Sequence, residues 1–133
     1  MSIFTKIIAG EIPSFKVAET EDFFAFLDIN PNAPGHTLCV PKKEVNKLFD
    51  LDERTYTALM QFSRQVALCL REEVECKRVG MSVIGLEVPH VHVHLIPLRD
   101  MEDMRFSNKV ILGDNEMQDI ADRVQKRFNN SNK

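Results

Sequence analysis

The sequence has no excess of positive charge: 17 Lys and Arg stand against 20 Asp and Glu, a formal net charge of −3. Proteins that grip nucleic acid through its phosphates ordinarily offer a basic face, so this balance argues against a nucleic-acid partner while leaving room for one small anion in a local pocket. Long apolar runs are also missing. No stretch approaches the roughly 18 residues that a membrane span needs, and the opening MSIFTKIIAGEIP lacks the apolar core and cleavage site of a secretory signal. The expectation is a cytoplasmic protein with no membrane partner. Cysteine is sparse: Cys39, Cys69 and Cys76 are odd in number and never spaced as C-x-x-C, which argues against a disulfide framework and a zinc knuckle. They read as small buried apolar residues. No linker, internal repeat or low-complexity block divides the chain. Its 133 residues therefore predict a single domain over 1–133 around one core, with only Asn129 to Lys133 reading as a frayed tail.

What is present is α+β patterning. Phe4 to Gly10 reads as one helical turn that Pro13 keeps from running further. Phe15 to Glu19, Phe23 to Asp28 and His36 to Val40 read as short antiparallel strands broken by Pro31, Pro34 and Gly35. A long helix is predicted to start near Asp50, which with Glu53 has capping-box spacing. Its stripe of Leu59, Phe62, Val66, Leu70 and Val74 recurs every three or four residues and suits a sheet surface. Two further strands, Arg78 to Ile84 and Val88 to Leu98, are predicted around a turn at Gly85. Met117, Ile120, Ala121, Val124 and Phe128 then mark a C-terminal amphipathic helix.

Three of the four histidines lie within five residues: His90, His92 and His94, interleaved with Val91 and Val93. On a strand such alternation places the imidazoles on one face at steps of roughly 6.5 Å. Three readings are open for that face. The rings decorate a solvated surface, although unpaired imidazole is costly to bury. They bind a zinc ion, for which His-x-His on a strand is suitable, with Glu87 or Asp28 as nominal outer partners. Or one neutral ring attacks phosphorus while its neighbours hold its tautomer and stabilise developing charge, a route that needs no metal or other cofactor.

The string His90-Val91-His92-Val93-His94-Leu95-Ile96-Pro97 resembles the signature of the histidine-triad (HIT) family, in which three histidines alternate with apolar residues. Residues 3–13, IFTKIIAGEIP, resemble that family's N-terminal segment. The strings FLDINP over 26–31 and PGHTLCVPK over 34–42 resemble its nucleoside-side strands. The resemblance covers about residues 3 to 98 and leaves 99–133 as a C-terminal extension. It implies a HIT-like fold of about five antiparallel strands carrying one long helix and a C-terminal helix, assembled as a symmetric homodimer. It also implies a small-molecule nucleotide substrate, nearest to the nucleoside phosphoramidase branch. His92 would be the nucleophile that forms a transient nucleotidyl-histidine. His90 and His94 would flank it and contact phosphate or leaving group, and His36 would complete the polar network. Asp28 would accept hydrogen bonds from ribose hydroxyls, and Phe4, Ile7, Phe26 and Ile29 would line the base slot.

Two departures from the family pattern bear on function. Where many relatives carry Cys-x-x-Cys holding a structural zinc, this chain has Ser2-Ile3-Phe4-Thr5, so that site is expected to be lost. Where many carry Gly-Gln-Ser or Gly-Gln-Thr before the triad to donate hydrogen bonds to phosphate, this chain has Gly85-Leu86-Glu87, and a carboxylate there would repel phosphate. That places polyphosphate substrates in most doubt. The arginine frequent after the final proline is also displaced: Leu98 follows Pro97 and Arg99 comes one residue later, on the opposite face of a continuing strand. The leading expectation is hydrolysis of a nucleoside 5′-phosphoramidate or similar mononucleotide conjugate. Cleavage of dinucleoside polyphosphates, a catalytically weak purine-nucleotide-binding protein, and a metal-dependent hydrolase using the histidine cluster are the alternatives.

Overall fold

The computed structural model of the chain describes residues 1–131. The elements run α1 (Ile3–Ile8), β1 (Lys16–Glu19), β2 (Phe23–Leu27), β3 (Thr37–Pro41), α2 (Glu53–Glu73), β4 (Arg78–Ser82), β5 (Val93–Leu98) and α3 (Asp114–Ser131). The strands form one antiparallel sheet in the order β1-β2-β3-β5-β4. This is the predicted α+β architecture. Among the described residues no helix is long and apolar enough to cross a membrane.

Strand alternation divides the apolar residues between two layers. Phe23, Ala25, Leu27, Cys39, Val93 and Leu95 face α2 and α3, whose stripes bury Leu59, Phe62, Val66, Leu70, Met117, Ile120, Ala121, Val124 and Phe128 in the same core. Both predicted helical stripes are thus core-facing, with Val74 packed at the margin. A smaller cluster of Phe24, Phe26, Leu38 and Val40 covers the opposite face, closed by Phe4, Ile7 and Ile8 of α1. His94 lies directly opposite Leu38 on β3 and Ser82 on β4, so it projects from this second face beside the α1 cluster. Gly35, at φ +88°, makes the turn into β3; a Cβ there would also sit 3.0 Å from Val74 Cγ2 and 3.1 Å from Pro97 Cγ.

Several boundaries differ from the sequence expectation. Leu48–Asp50 is a short 3₁₀ turn, and the N-cap of α2 is Asp52, whose carboxylate accepts from the Thr55 backbone N–H at 2.8 Å. β5 begins at Val93 rather than Val88. The preceding backbone is diverted: His90 N–H bonds Val88 O, and Val91 N–H bonds Val45 O. Asn129 to Ser131 are helical and end α3; the last two residues of the expected tail lie outside the described residues. The helix is held against α2 by Glu73, which receives Arg123 and Arg127, the latter at 2.7 Å.

Replacing an N-cap aspartate by alanine typically costs about 1 kcal/mol. Asp52→Ala is therefore expected to lower the urea midpoint and Asp50→Ala to leave it nearly unchanged; equal effects would contradict the cap assignment.

Candidate functional site

The four histidines are all buried, His36 and His90 completely; His36, His90 and His92 each have one ring nitrogen on a backbone group whose hydrogen-bonding sense is fixed, and His94 meets the ring of His36. A backbone N–H can only donate and a carbonyl can only accept, so the tautomer that each ring takes when neutral follows. Asn32 N–H donates to His36 Nδ1 at 3.0 Å. His36 therefore carries its proton on Nε2, which donates to His94 Nδ1 at 3.0 Å, with Asp28 Oδ2 3.7 Å away. His94 in turn carries its proton on Nε2. His92 Nδ1 donates to the His90 carbonyl at 2.8 Å, which leaves the Nε2 lone pair of His92 free. His90 Nε2 donates to the Pro41 carbonyl at 2.7 Å, and its Nδ1 accepts from the Ser2 hydroxyl at 2.7 Å.

Burial favours the neutral forms of His36, His90 and His94. It is the first cause depressing His36 to about 3 and His94 to about 4, with the neighbouring rings and Lys109 adding to the effect. His90 is also lowered, chiefly by burial, against the opposing pull of the Pro41 carbonyl. By contrast, burial pushes the Cys39 thiol up to about 12, so it stays protonated near neutral pH.

His92 and His94 line a pocket of about 440 Å³ with Asp28, Asn30, Ile84, Gly85, Leu86, Glu87, Phe106 and Lys109, a volume suited to a small ligand. The two imidazoles lie edge to face at 4.9 Å between centroids. Asp28 sits at the end of β2, where Asn30 N–H donates to Oδ1 at 2.9 Å; burial raises its pKa above the ordinary value against the lowering effects of that bond and of Lys109.

Of the residues singled out by sequence, Asp28, His92 and His94 meet in the pocket and His36 backs His94. Phe4 stands behind His92, its ring 5.0 Å away edge to face, and packs with Phe26 at 5.5 Å; Ile7 joins the same cluster. Ile29 is exposed next to Asp28. His90 is the exception. Its ring does not share a face with the other two, because the chain at 90–92 is not a strand, and both its nitrogens are engaged away from the pocket. The zinc alternative built on His90, His92 and His94 therefore loses its geometry. Among the described residues the trio whose ligand atoms converge, within 4.8 Å, is Asp28, His36 and His94. There the atom of His36 that faces the trio carries a proton, so no lone pair is offered to a cation.

The structural-zinc position gives a similar result. Ser2 and Thr5 meet Glu44 and His90: the Ser2 backbone N–H and the Thr5 hydroxyl both donate to Glu44 Oε1, while Ser2 Oγ bonds His90. Those bonds depress the Glu44 carboxyl to about 2. Neutral hydroxyls that already bond one another do not fit a site that takes thiolates and imidazoles. Hydrogen bonds tie α1 to the first triad histidine instead.

Sequence reasoning missed Phe106, Lys109, Asn30 and Asn32. Phe106 packs its ring 4.8 Å from His94, and Lys109 Nζ donates to Asn32 Oδ1 at 2.8 Å. Phe106 and Lys109 lie beyond the resembling region with no periodicity to mark them. Asn30 and Asn32 sit in a turn whose composition reads as punctuation.

The family model for the HIT domain matches residues 9–101. The chain is 42% identical over 99 residues to an adenosine 5′-monophosphoramidase of Saccharomyces cerevisiae, a match covering 74% of this chain and 63% of that protein, just under two thirds of its length. It is 44% identical over 108 residues to an uncharacterized HIT-like protein of Methanocaldococcus jannaschii, covering 73% and 78%. The crystal structure of a Hit-like protein involved in cell-cycle regulation from Bartonella henselae superposes with a TM-score of 0.82 at 30% identity, covering 94% of each chain.

Two outcomes follow from the hydrogen-bond assignments. Because His36 and His94 are depressed from 6.5, the unfolded chain binds more protons than the folded one below about pH 6.5. Stability should fall as the pH drops from about 6.5 towards 4; a urea midpoint unchanged between pH 7 and pH 5 would contradict the neutral chain of rings. Ser2→Ala strands a buried acceptor on His90 and should cost about 1–3 kcal/mol in the same assay.

Proposed function

This chain belongs to the HIT-domain family, and from that premise we propose that it hydrolyses nucleoside 5′-phosphoramidates or similar mononucleotide conjugates, with His92 as nucleophile. The observation that carries this reading is the proton arrangement: His92 is held by the His90 carbonyl with its Nε2 lone pair free, beside a His94 that presents Nε2–H to the same pocket. A neutral imidazole so held is a nucleophile that needs no separate base. The yeast and archaeal likenesses support the family setting, and the name of the yeast relative supports the phosphoramidate class.

In this mechanism His92 Nε2 attacks the α-phosphorus, the P–N bond breaks, and the departing amine takes a proton from solvent. The His92–nucleotide adduct is cationic, and the His90 carbonyl facing Nδ1–H stabilises that charge. His94 Nε2–H donates to a phosphoryl oxygen as negative charge gathers there. Water then attacks phosphorus from the pocket, releasing the nucleoside monophosphate, a proton and neutral His92. His36 is a positioning residue, acting through the tautomer it imposes on His94. Asp28 accepts from the ribose hydroxyls, and Ile29 offers apolar surface to the base while Phe4, Ile7 and Phe26 form the wall behind. The carboxylate of Glu87, at the same pocket, disfavours a polyphosphate chain. A symmetric homodimer belongs to the same proposal: β4 has a partner on one side only, which leaves an edge open to a second copy.

Incubating the protein with adenosine 5′-phosphoramidate and EDTA should release AMP, and His92→Asn should abolish turnover by at least about a thousandfold while still binding AMP. Wild-type activity that disappears with chelator would favour metal-dependent hydrolysis; an active His92→Asn variant would remove the nucleophile assignment.

A further inference from the structure

The charge balance of the pocket is unusual for a site that takes a phosphate. Asp28 and Glu87 both line it. Arg99, which follows the end of β5, does not line the pocket and is engaged by Asp103 at 3.1 Å. Among the described residues, one lysine and no arginine lines the pocket: Lys109, supplied by the segment between β5 and α3 that lies outside the resembling region.

That lysine is held in place. Its Nζ spends one of three donors on Asn32 Oδ1 at 2.8 Å and lies 5.2 Å from the centroid of the Phe106 ring, a distance at which the ring face attracts a cation. Phe106 itself packs edge-on against His94 at 4.8 Å and His36 at 6.1 Å. The backbone is fixed as well, since Val110 N–H bonds the Pro31 carbonyl at 3.0 Å. Asn32 is 2% exposed, and its Nδ2 has no hydrogen-bond partner among the described residues. Beside Lys109, then, a second buried donor is left over, although buried polar groups are ordinarily satisfied.

We propose that Lys109 is the phosphate-binding residue of this site: the C-terminal segment returns over the triad and supplies the positive charge that the loop at 85–87 lacks, with its remaining N–H donors directed to non-bridging phosphoryl oxygens. This rests on the reading of the pocket as a nucleotide site. A lysine acts on phosphate as a compact point charge, which suits one phosphoryl group more than an extended polyphosphate clamp. As the transferred phosphoryl gains charge in the transition state, Lys109 stabilises it together with His94.

The test is calorimetric titration of the full chain with AMP and with adenosine, for wild type, Lys109→Met and Lys109→Arg, with thermal melts to confirm folding. Loss of a charge-assisted contact should weaken AMP binding about tenfold or more in Lys109→Met and leave adenosine binding unchanged. Lys109→Arg should stay within about threefold of wild type. In turnover of adenosine 5′-phosphoramidate, Lys109→Met should raise KM and lower kcat/KM, and the salt sensitivity of AMP binding should fall. Wild-type AMP affinity in a folded Lys109→Met overturns the proposal, as does a folded Lys109→Arg that loses as much as Lys109→Met. Wild-type protein that binds neither AMP nor adenosine overturns the nucleotide reading itself and this inference with it.

Discussion

A buried imidazole has two nitrogens and, when neutral, one proton, so whichever nitrogen meets a backbone group decides what the other one can do. The rest of this site depends on that constraint. The Asn32 amide sets His36, His36 sets His94, and the His90 carbonyl sets His92. The result is one lone pair and one N–H facing the same pocket from adjacent rings. Burial maintains the arrangement, because it depresses the basicity of His36 and His94 enough to keep them uncharged around neutral pH.

The fold supplies rigid origins for those backbone groups. The Asn32 amide lies in the turn that Gly35 closes before β3, and the return of the chain is fixed by Asp28 N–H on the His36 carbonyl. The Pro41 carbonyl at the end of β3 anchors the ring of His90. From the other side, Ser2 at the N-cap of α1 reaches the same ring, while Glu44 gathers Ser2 and Thr5. The first triad histidine therefore serves as a structural pivot. Its side chain is tied to the amino-terminal helix and β3, and its carbonyl reaches the middle histidine.

Much of this was legible in the chain. The stripes of α2 and α3 identified residues that are buried, because helical periodicity is a local property and burial on one face follows from it. His36, His92, His94 and Asp28, which the family resemblance singled out, come together in the structure because they stand at or next to the ends of the neighbouring strands β2, β3 and β5. The extended strand from Val88 was not correct, since alternation of His and Val satisfies a strand pattern whether or not a partner strand is available. Here Val91 N–H is taken by the Val45 carbonyl and His90 N–H by the Val88 carbonyl two residues back. Asp50 and Asp52 both precede Glu53, and only the turn geometry at 48–50 selects Asp52 as the cap.

By itself, the sequence determined the α+β class, the two helical stripes and the family likeness, because each is written in nearest-neighbour spacing and apolar period. Tertiary structure alone decided where the protons sit, that the ring of His90 turns away from the pocket, that Ser2, Thr5 and Glu44 meet it, and that Lys109 returns beside Asp28 and His94. Each of these unites groups far apart in the chain: 88 residues separate Ser2 from His90, and 77 separate Asn32 from Lys109. A hydrogen bond at such separation leaves no period in the sequence, since its partners are chosen by the packing of the elements that carry them.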